Sequence, residues 1–218
     1  MEERERMEQL GPYRYDRDPA CFPLGRDSLE LGEFATVKPG WRVCDLGCGG
    51  GVLLLLLSAR ADGLTLAGVE LEEAAARAAR ANLARNGLAG EIRAGDLRES
   101  GFPTGSWDLV ISNPPYFALG SGKSGGGERM EEHCTLPELC RAAAALLRPR
   151  GRFALVHRPE RLVEVLTELR RAGLEPKRLR LIQHDASHPP SAVLAEGVKG
   201  AKTGLEILPA RLLHRDGA

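Results

Sequence analysis

The order of segments along the chain predicts an α/β fold: a doubly wound sheet, mostly parallel, with an antiparallel edge strand. Three observations carry this. Short apolar runs at 41–46, 64–70, 91–95, 107–111 and 152–157 are mostly separated by helix-forming stretches. A glycine-rich turn, Gly47-Cys48-Gly49-Gly50-Gly51, separates the first run from a leucine-rich helix. The end of the chain then turns β-rich, with runs at 179–182, 192–195 and 205–208 joined by polar or glycine-containing loops, which suits an antiparallel edge.

Taken in order, residues 1–21 are polar and expected to be flexible, and 22–218 are expected to form a single domain. Asp27 or Ser28 is a candidate cap for a short helix to about Phe34, because both side chains accept amide bonds at a helix start. Pro39-Gly40 turns the chain into the first strand. After the glycine turn the helix runs to about Arg60, and the second strand ends on Glu70. Ala74–Asn86 is rich in alanine and arginine, with Gly87 placed to close the helix. The third strand delivers Asp96. The fourth, 107–111, leads into Ser112-Asn113-Pro114-Pro115-Tyr116-Phe117. Gly120–Gly127 is expected to be a mobile loop. Helices follow at 137–147 and from Pro159 to about Ala172, with Pro149-Arg150-Gly151 breaking the chain before the fifth strand.

With 218 residues, 43% hydrophobic and 28% charged, the chain can bury one good core. No run approaches the roughly 20 apolar residues that span a bilayer, so no membrane association is expected. The charged start lacks the apolar centre of a signal peptide. Five cysteines without a CxxC pair suggest neither a disulfide framework nor a zinc site. A cytoplasmic protein with reduced thiols is expected. The zero net charge conceals an asymmetry. Residues 1–140 carry 15 Lys/Arg against 22 Asp/Glu, and residues 141–218 carry 15 against 8, so the halves are −7 and +7. A basic second half suits an acidic partner such as nucleic acid.

The chemistry gathers at predicted strand ends, where ligands bind in such sheets. Gly47 and Gly49 match the start of the dinucleotide pattern GxGxxG, but Val52 stands where its last glycine belongs. Asp45, two residues earlier, suits an ammonium group and would sit badly beside a pyrophosphate. Glu70 is placed as a ribose-binding acid, and Asp96 as an acceptor from an adenine amino group. A ligand with an amino-acid end, a ribose and an adenine, and without phosphate, is S-adenosylmethionine. The histidines are scattered and no metal cluster is expected.

On these residues the chain resembles the class I S-adenosylmethionine-dependent methyltransferases, which have a Rossmann-like sheet. Asp45-Leu46-Gly47-Cys48-Gly49 resembles their cofactor loop, although Cys48 and Gly50 replace the more usual residues. Glu70 with Leu71, and Gly95-Asp96-Leu97, resemble their ribose and adenine segments. Asn113-Pro114-Pro115-Tyr116 resembles the catalytic motif of enzymes that methylate planar amino groups. More narrowly, Arg26–Leu31 (with Asp27 toward the cofactor), Arg158–Leu162 and Ala195–Leu205 are similar to bacterial tRNA adenine-N6 methyltransferases. Those act beside the anticodon of a valine tRNA, at adenosine-37.

The resemblance implies a methyl donor, S-adenosyl-L-methionine, that leaves as S-adenosyl-L-homocysteine, and an RNA partner, a tRNA, in whose loop a base can leave its stack. Asn113 and the Pro114 carbonyl are the expected acceptors from the adenine amino group, Pro115 the stiffener and Tyr116 the stacking ring. Phe117, Lys123, Arg129, Arg158, Lys199 and Lys202 are candidate RNA contacts. Rival readings are methylation of ribosomal-RNA or DNA adenine, methylation of a protein glutamine, and a non-catalytic binding module.

Overall fold

The computed structural model describes residues 7–19, 21, 23–114 and 134–213. Its first elements correct an expectation. Met7–Leu10 (β1) and Tyr13–Asp16 (β2) pair as an antiparallel hairpin, where a flexible polar segment was expected. Leu10 and Tyr15 are its buried anchors. The hairpin turns at Gly11, whose φ of 61° lies in the left-handed region.

The remaining elements follow the predicted alternation. They are α1 (Arg26–Phe34), β3 (Arg42–Leu46), α2 (Val52–Ser58), β4 (Thr65–Glu70), α3 (Glu73–Arg85), β5 (Gly90–Ala94) and β6 (Trp107–Ser112). Then come α4 (Leu136–Leu146), β7 (Leu147–His157), α5 (Leu162–Arg171), β8 (Leu174–Gln183), β9 (Pro190–Lys199), β10 (Glu206–Ile207) and β11 (Arg211–Leu212). The main sheet has the order β10-β8-β9-β7-β6-β3-β4-β5, with β11 also on β8. Strands β5, β4, β3, β6 and β7 are parallel, and β9 runs antiparallel to both β7 and β8. Helices cover both faces, as a parallel sheet requires.

Strand side chains alternate between two cores. Val43, Leu109, Ile111, Ala154 and Val156 pack toward Leu31, Phe34, Leu54, Ala79 and Leu83 of the first three helices. Their neighbours Cys44, Leu46, Val110, Phe153 and Leu155 pack toward Leu139, Ala143, Leu146, Val165 and Leu169 of α4 and α5. No described helix is long and apolar enough to cross a membrane.

Several local expectations are refined. The N-cap of α1 is Gly25, without a side-chain cap bond, so Asp27 and Ser28 stand inside its first turn. Gly87 does close α3, with φ of 67°. The Pro149-Arg150-Gly151 segment lies within β7 as an irregularity in its pairing with β6, with Arg150 itself left-handed at φ of 68°. The last expected strand is two short pieces, β10 and β11, parallel to β8.

The carboxyl-terminal end of α1 is held from far away in sequence. Arg60 donates to the carbonyls of Gly32 and Ala35, and Arg178 to that of Phe34 at 3.0 Å. The Thr36 amide and hydroxyl donate to the fully buried Glu196 carboxylate at 2.8 and 3.0 Å. Arg211 meets Glu30 at 3.1 Å. These bonds fix α1 against the later strands before any ligand is considered.

Candidate active site

Strands β4, β3 and β6 lie side by side, and their carboxyl ends meet one edge of the sheet. The chain moves outward from β3 in both directions, making this edge a topological switch point. The Ser112 hydroxyl donates to the Leu46 carbonyl at 2.6 Å, tying the end of β6 to the end of β3.

Asp45, near the end of β3, is completely buried. Neither carboxylate oxygen has a hydrogen-bond partner among the described residues. Burial, and then repulsion from Glu70, push its carboxyl well above the usual range. A buried acid left without a donor is a socket for a cationic or donating group. The ammonium of S-adenosylmethionine fits that requirement.

The glycine turn bends as its composition demands. Gly47 and Gly49 have φ of 78° and 49°, backbone that side chains resist. The Gly47 and Cys48 amides donate to the Val69 carbonyl at 2.8 and 3.0 Å. The Gly49 amide donates to Glu70 Oε2 at 2.8 Å, and the Glu72 amide to Oε1 at 3.1 Å. Glu70 therefore holds the loop itself. A carboxylate has about four lone-pair positions, so two amides leave capacity for ribose hydroxyls.

Asp96 caps a 3₁₀ turn at Leu97–Glu99 by accepting from the Arg98 amide. Its carboxylate is also ion-paired to the Arg98 guanidinium, which reaches on to Glu138 at 3.0 Å. The sequence did not signal this clamp. Gly47, Val69, Leu71, Gly95, Asp96, Leu97 and Cys134 line a cleft of about 310 Å³, uniting the predicted Leu71, Asp96 and Leu97. A second cleft of about 450 Å³ shares Leu97 and Cys134 with it and is lined further by Ser112, Pro114, Leu139, His157 and Arg161.

Asn113 follows β6 between Ser112 and Pro114. Its Nδ2 donates to the Ser28 hydroxyl on α1 at 2.8 Å. Pro115, Tyr116, Phe117, Lys123 and Arg129 lie outside the described residues. Asp27 is half-buried on the first turn of α1, next to Ser28.

His157 is one of several histidines scattered along the sequence, yet it ends β7 and is almost fully buried in the second cleft. The Arg158 amide donates to its Nδ1 at 2.8 Å. Burial first, and then Arg161, lower its pKa to about 4, so the ring is neutral at pH 7. The available signal was its place at a parallel strand's carboxyl end, the criterion that had selected Glu70.

The proposed basic contacts divide. Arg158 follows directly after β7 at the cleft edge. Lys199 does not reach the site. Antiparallel β9 carries it to the opposite edge, where its ammonium donates to the carbonyls of Ala144 and Leu147 at 2.6 and 2.8 Å. That caps the end of α4. Lys202 lies beyond it on the same side, its carbonyl accepting from Lys177 at 3.3 Å.

Residues 31–171 match the methyltransferase small domain family. The tRNA1(Val) (adenine(37)-N6)-methyltransferase of Tolumonas auensis is 33% identical over 180 residues, covering 76% of this chain and 75% of that relative. A protein of the same name from Parabacteroides distasonis is 29% identical over 186 residues, 82% of this chain and 78% of its own. Among solved structures, a predicted O-methyltransferase, Atu636 from Agrobacterium tumefaciens, superposes with a TM-score of 0.71 at 21% identity. That match covers 88% of this chain and 89% of the other, and at this identity it speaks for the fold alone.

Proposed function

The chain belongs to the methyltransferase small domain family, and from that membership we propose that it methylates the N6 amino group of an adenine in RNA, adenosine-37 of a valine tRNA. The donor is S-adenosylmethionine, which supplies an electrophilic sulfonium methyl when bound. The observation that carries the reading is the placement of Asn113 at the end of β6, beside the β3 end that bears the buried Asp45, which has no donor among the described residues. An acceptor amide and a socket for the donor's ammonium thus belong to neighbouring strands.

Each residue then has a task. Asp45 receives the ammonium. Glu70 accepts from the ribose hydroxyls while keeping the glycine turn closed. Leu71, Asp96 and Leu97 bound the adenine side, and Asp27 approaches from α1. The target adenine's exocyclic nitrogen is a weak nucleophile because its lone pair is delocalised into the ring. The Asn113 Oδ1 and the Pro114 carbonyl accept its two N–H bonds, favouring a tetrahedral nitrogen with a freed lone pair. The nitrogen's lone pair would form the new N–CH3 bond as the donor's S–CH3 bond breaks. The bonding pair would stay on sulfur to leave S-adenosylhomocysteine, and the extra proton on nitrogen would pass to solvent. Holding the two reactants in line supplies much of the remaining acceleration. Tyr116 is the proposed stacking ring for the flipped base, and Arg158 a proposed phosphate contact. A tRNA acceptor places this work in the cytoplasm.

The test is incubation with methyl-labelled donor and, separately, bulk tRNA, ribosomal RNA and a release factor. Label should enter tRNA as N6-methyladenosine and vanish with Asn113→Ala. Label on protein alone would overturn the adenine reading in favour of glutamine.

A further inference from the structure

We propose that Ser28 is a positioning residue for Asn113, setting which end of the catalytic amide faces the acceptor nitrogen. The inference rests on the function proposed above and adds a residue to it.

An asparagine amide has an accepting end and a donating end of nearly the same shape. Methylation of an amino nitrogen needs the oxygen turned toward the substrate's N–H groups. The nitrogen end turned the other way would place donors against donors. Some partner must therefore engage Nδ2, and 85 residues away in sequence Ser28 Oγ does so at 2.8 Å. Asn113 Oδ1 accepts from no described residue, so the oxygen is left for another donor.

Ser28 also sits on a platform suited to the purpose. Its helix is locked at the far end by Arg60, Arg178 and the Thr36–Glu196 bonds. Gly32 on the same helix packs so tightly on Leu56 of α2 that an added Cβ would lie 2.7 Å from Leu56 Cδ1. A hydroxyl carried on an immobilised helix fixes an amide far better than one on a loop. Asn113 otherwise hangs from the end of a strand, where its terminal torsion is soft.

The experiment compares wild type with Ser28→Ala and Ser28→Thr, the second keeping the hydroxyl. Its first readout needs no substrate. The side-chain amide resonances of Asn113, assigned by their disappearance in Asn113→Asp, should move in Ser28→Ala and return toward the wild-type position in Ser28→Thr. The second is kinetic. Ser28→Ala should lower kcat about 10- to 100-fold, with S-adenosylmethionine affinity and the KM for tRNA within about two-fold, and Ser28→Thr should recover most of it. Unmoved amide resonances in Ser28→Ala would overturn the contact. An unchanged kcat, or a parallel loss of donor affinity, would overturn the positioning role. A wild-type protein inert toward every acceptor would instead sink the methylation reading, while the amide resonances would still decide the Ser28–Asn113 contact.

Discussion

Asp45 and Glu70 end neighbouring strands as two buried carboxylates, one with no donor among the described residues and the other holding the Gly49 and Glu72 amides. The asymmetry assigns them different chemistry. Asp45 raises the cost of the empty site, and Glu70 lowers it.

For Asp45, the folded-state pKa lies above the unfolded one. Its contribution to stability is therefore present in acid, below the unfolded value, and is lost as pH rises through the folded value. Asp45→Asn should raise the melting temperature of the donor-free protein at neutral pH and flatten that pH dependence. The same variant should weaken S-adenosylmethionine binding by about 1–3 kcal/mol. Wild-type affinity should fall as the solution is acidified, because the protonated acid no longer attracts an ammonium. Calorimetry in buffers of different ionisation enthalpy should register a proton released on binding.

For Glu70, replacement by Ala should weaken donor binding by roughly 1–3 kcal/mol. It should also lower the melting temperature without donor, since the glycine turn loses its anchor. Unchanged affinity by titration calorimetry would contradict the ribose role, whatever the melting temperature does.

Asn82 clips the amino-terminal hairpin to the glycine turn. Its Oδ1 accepts from the Asp16 amide at 2.9 Å, and its Nδ2 reaches the carbonyls of Asp16 and Gly50 at 3.2 and 3.0 Å. Asn82→Ala should destabilise the protein by about 1–3 kcal/mol and speed amide exchange across β2. Gly50→Ala should do likewise, because its Cβ would fall 2.6 Å from the Tyr15 hydroxyl. Exchange confined to wild-type rates in both would remove the hairpin from the site.

Glu196 is fully buried between Arg152 at 2.6 Å and Arg178 at 3.6 Å and also accepts from Thr36. Glu196→Ala should cost about 1–3 kcal/mol, since it removes a buried acceptor from the half-buried Arg152 and Arg178 and from the Thr36 amide. Urea unfolding should show a lower midpoint at unchanged slope.

Much of this site was legible because strand ends in a parallel sheet are readable one at a time. An apolar run terminating in an acid or amide located Asp45, Glu70, Asp96 and Asn113 without knowledge of which strands neighbour which. What escaped depends on contacts between distant segments. The hairpin strands are four residues each and mostly polar, so their pattern is too short to betray Leu10 and Tyr15 as anchors. Lys199 looked like any surface lysine until antiparallel β9 carried it to the end of α4. Arg98 lies two residues from Asp96 and was in view, but a short-range pair of that kind has no periodic signature. His157 obeys the same strand-end rule, but an imidazole after an apolar run carries no charge or amide to mark it as a ligand group.

The bonds that lock α1 set a timetable for synthesis. The helix bearing Ser28 leaves the ribosome well before its anchors Arg178, Glu196 and Arg211. Contacts spanning 144 to 181 residues must wait for both partners. A nascent chain can assemble the glycine turn and its flanking strands early, but the helix that faces Asn113 settles only when β8, β9 and β11 arrive. A chain lacking β8, β9 and β11 would thus carry Ser28 on a helix short of its long-range anchors.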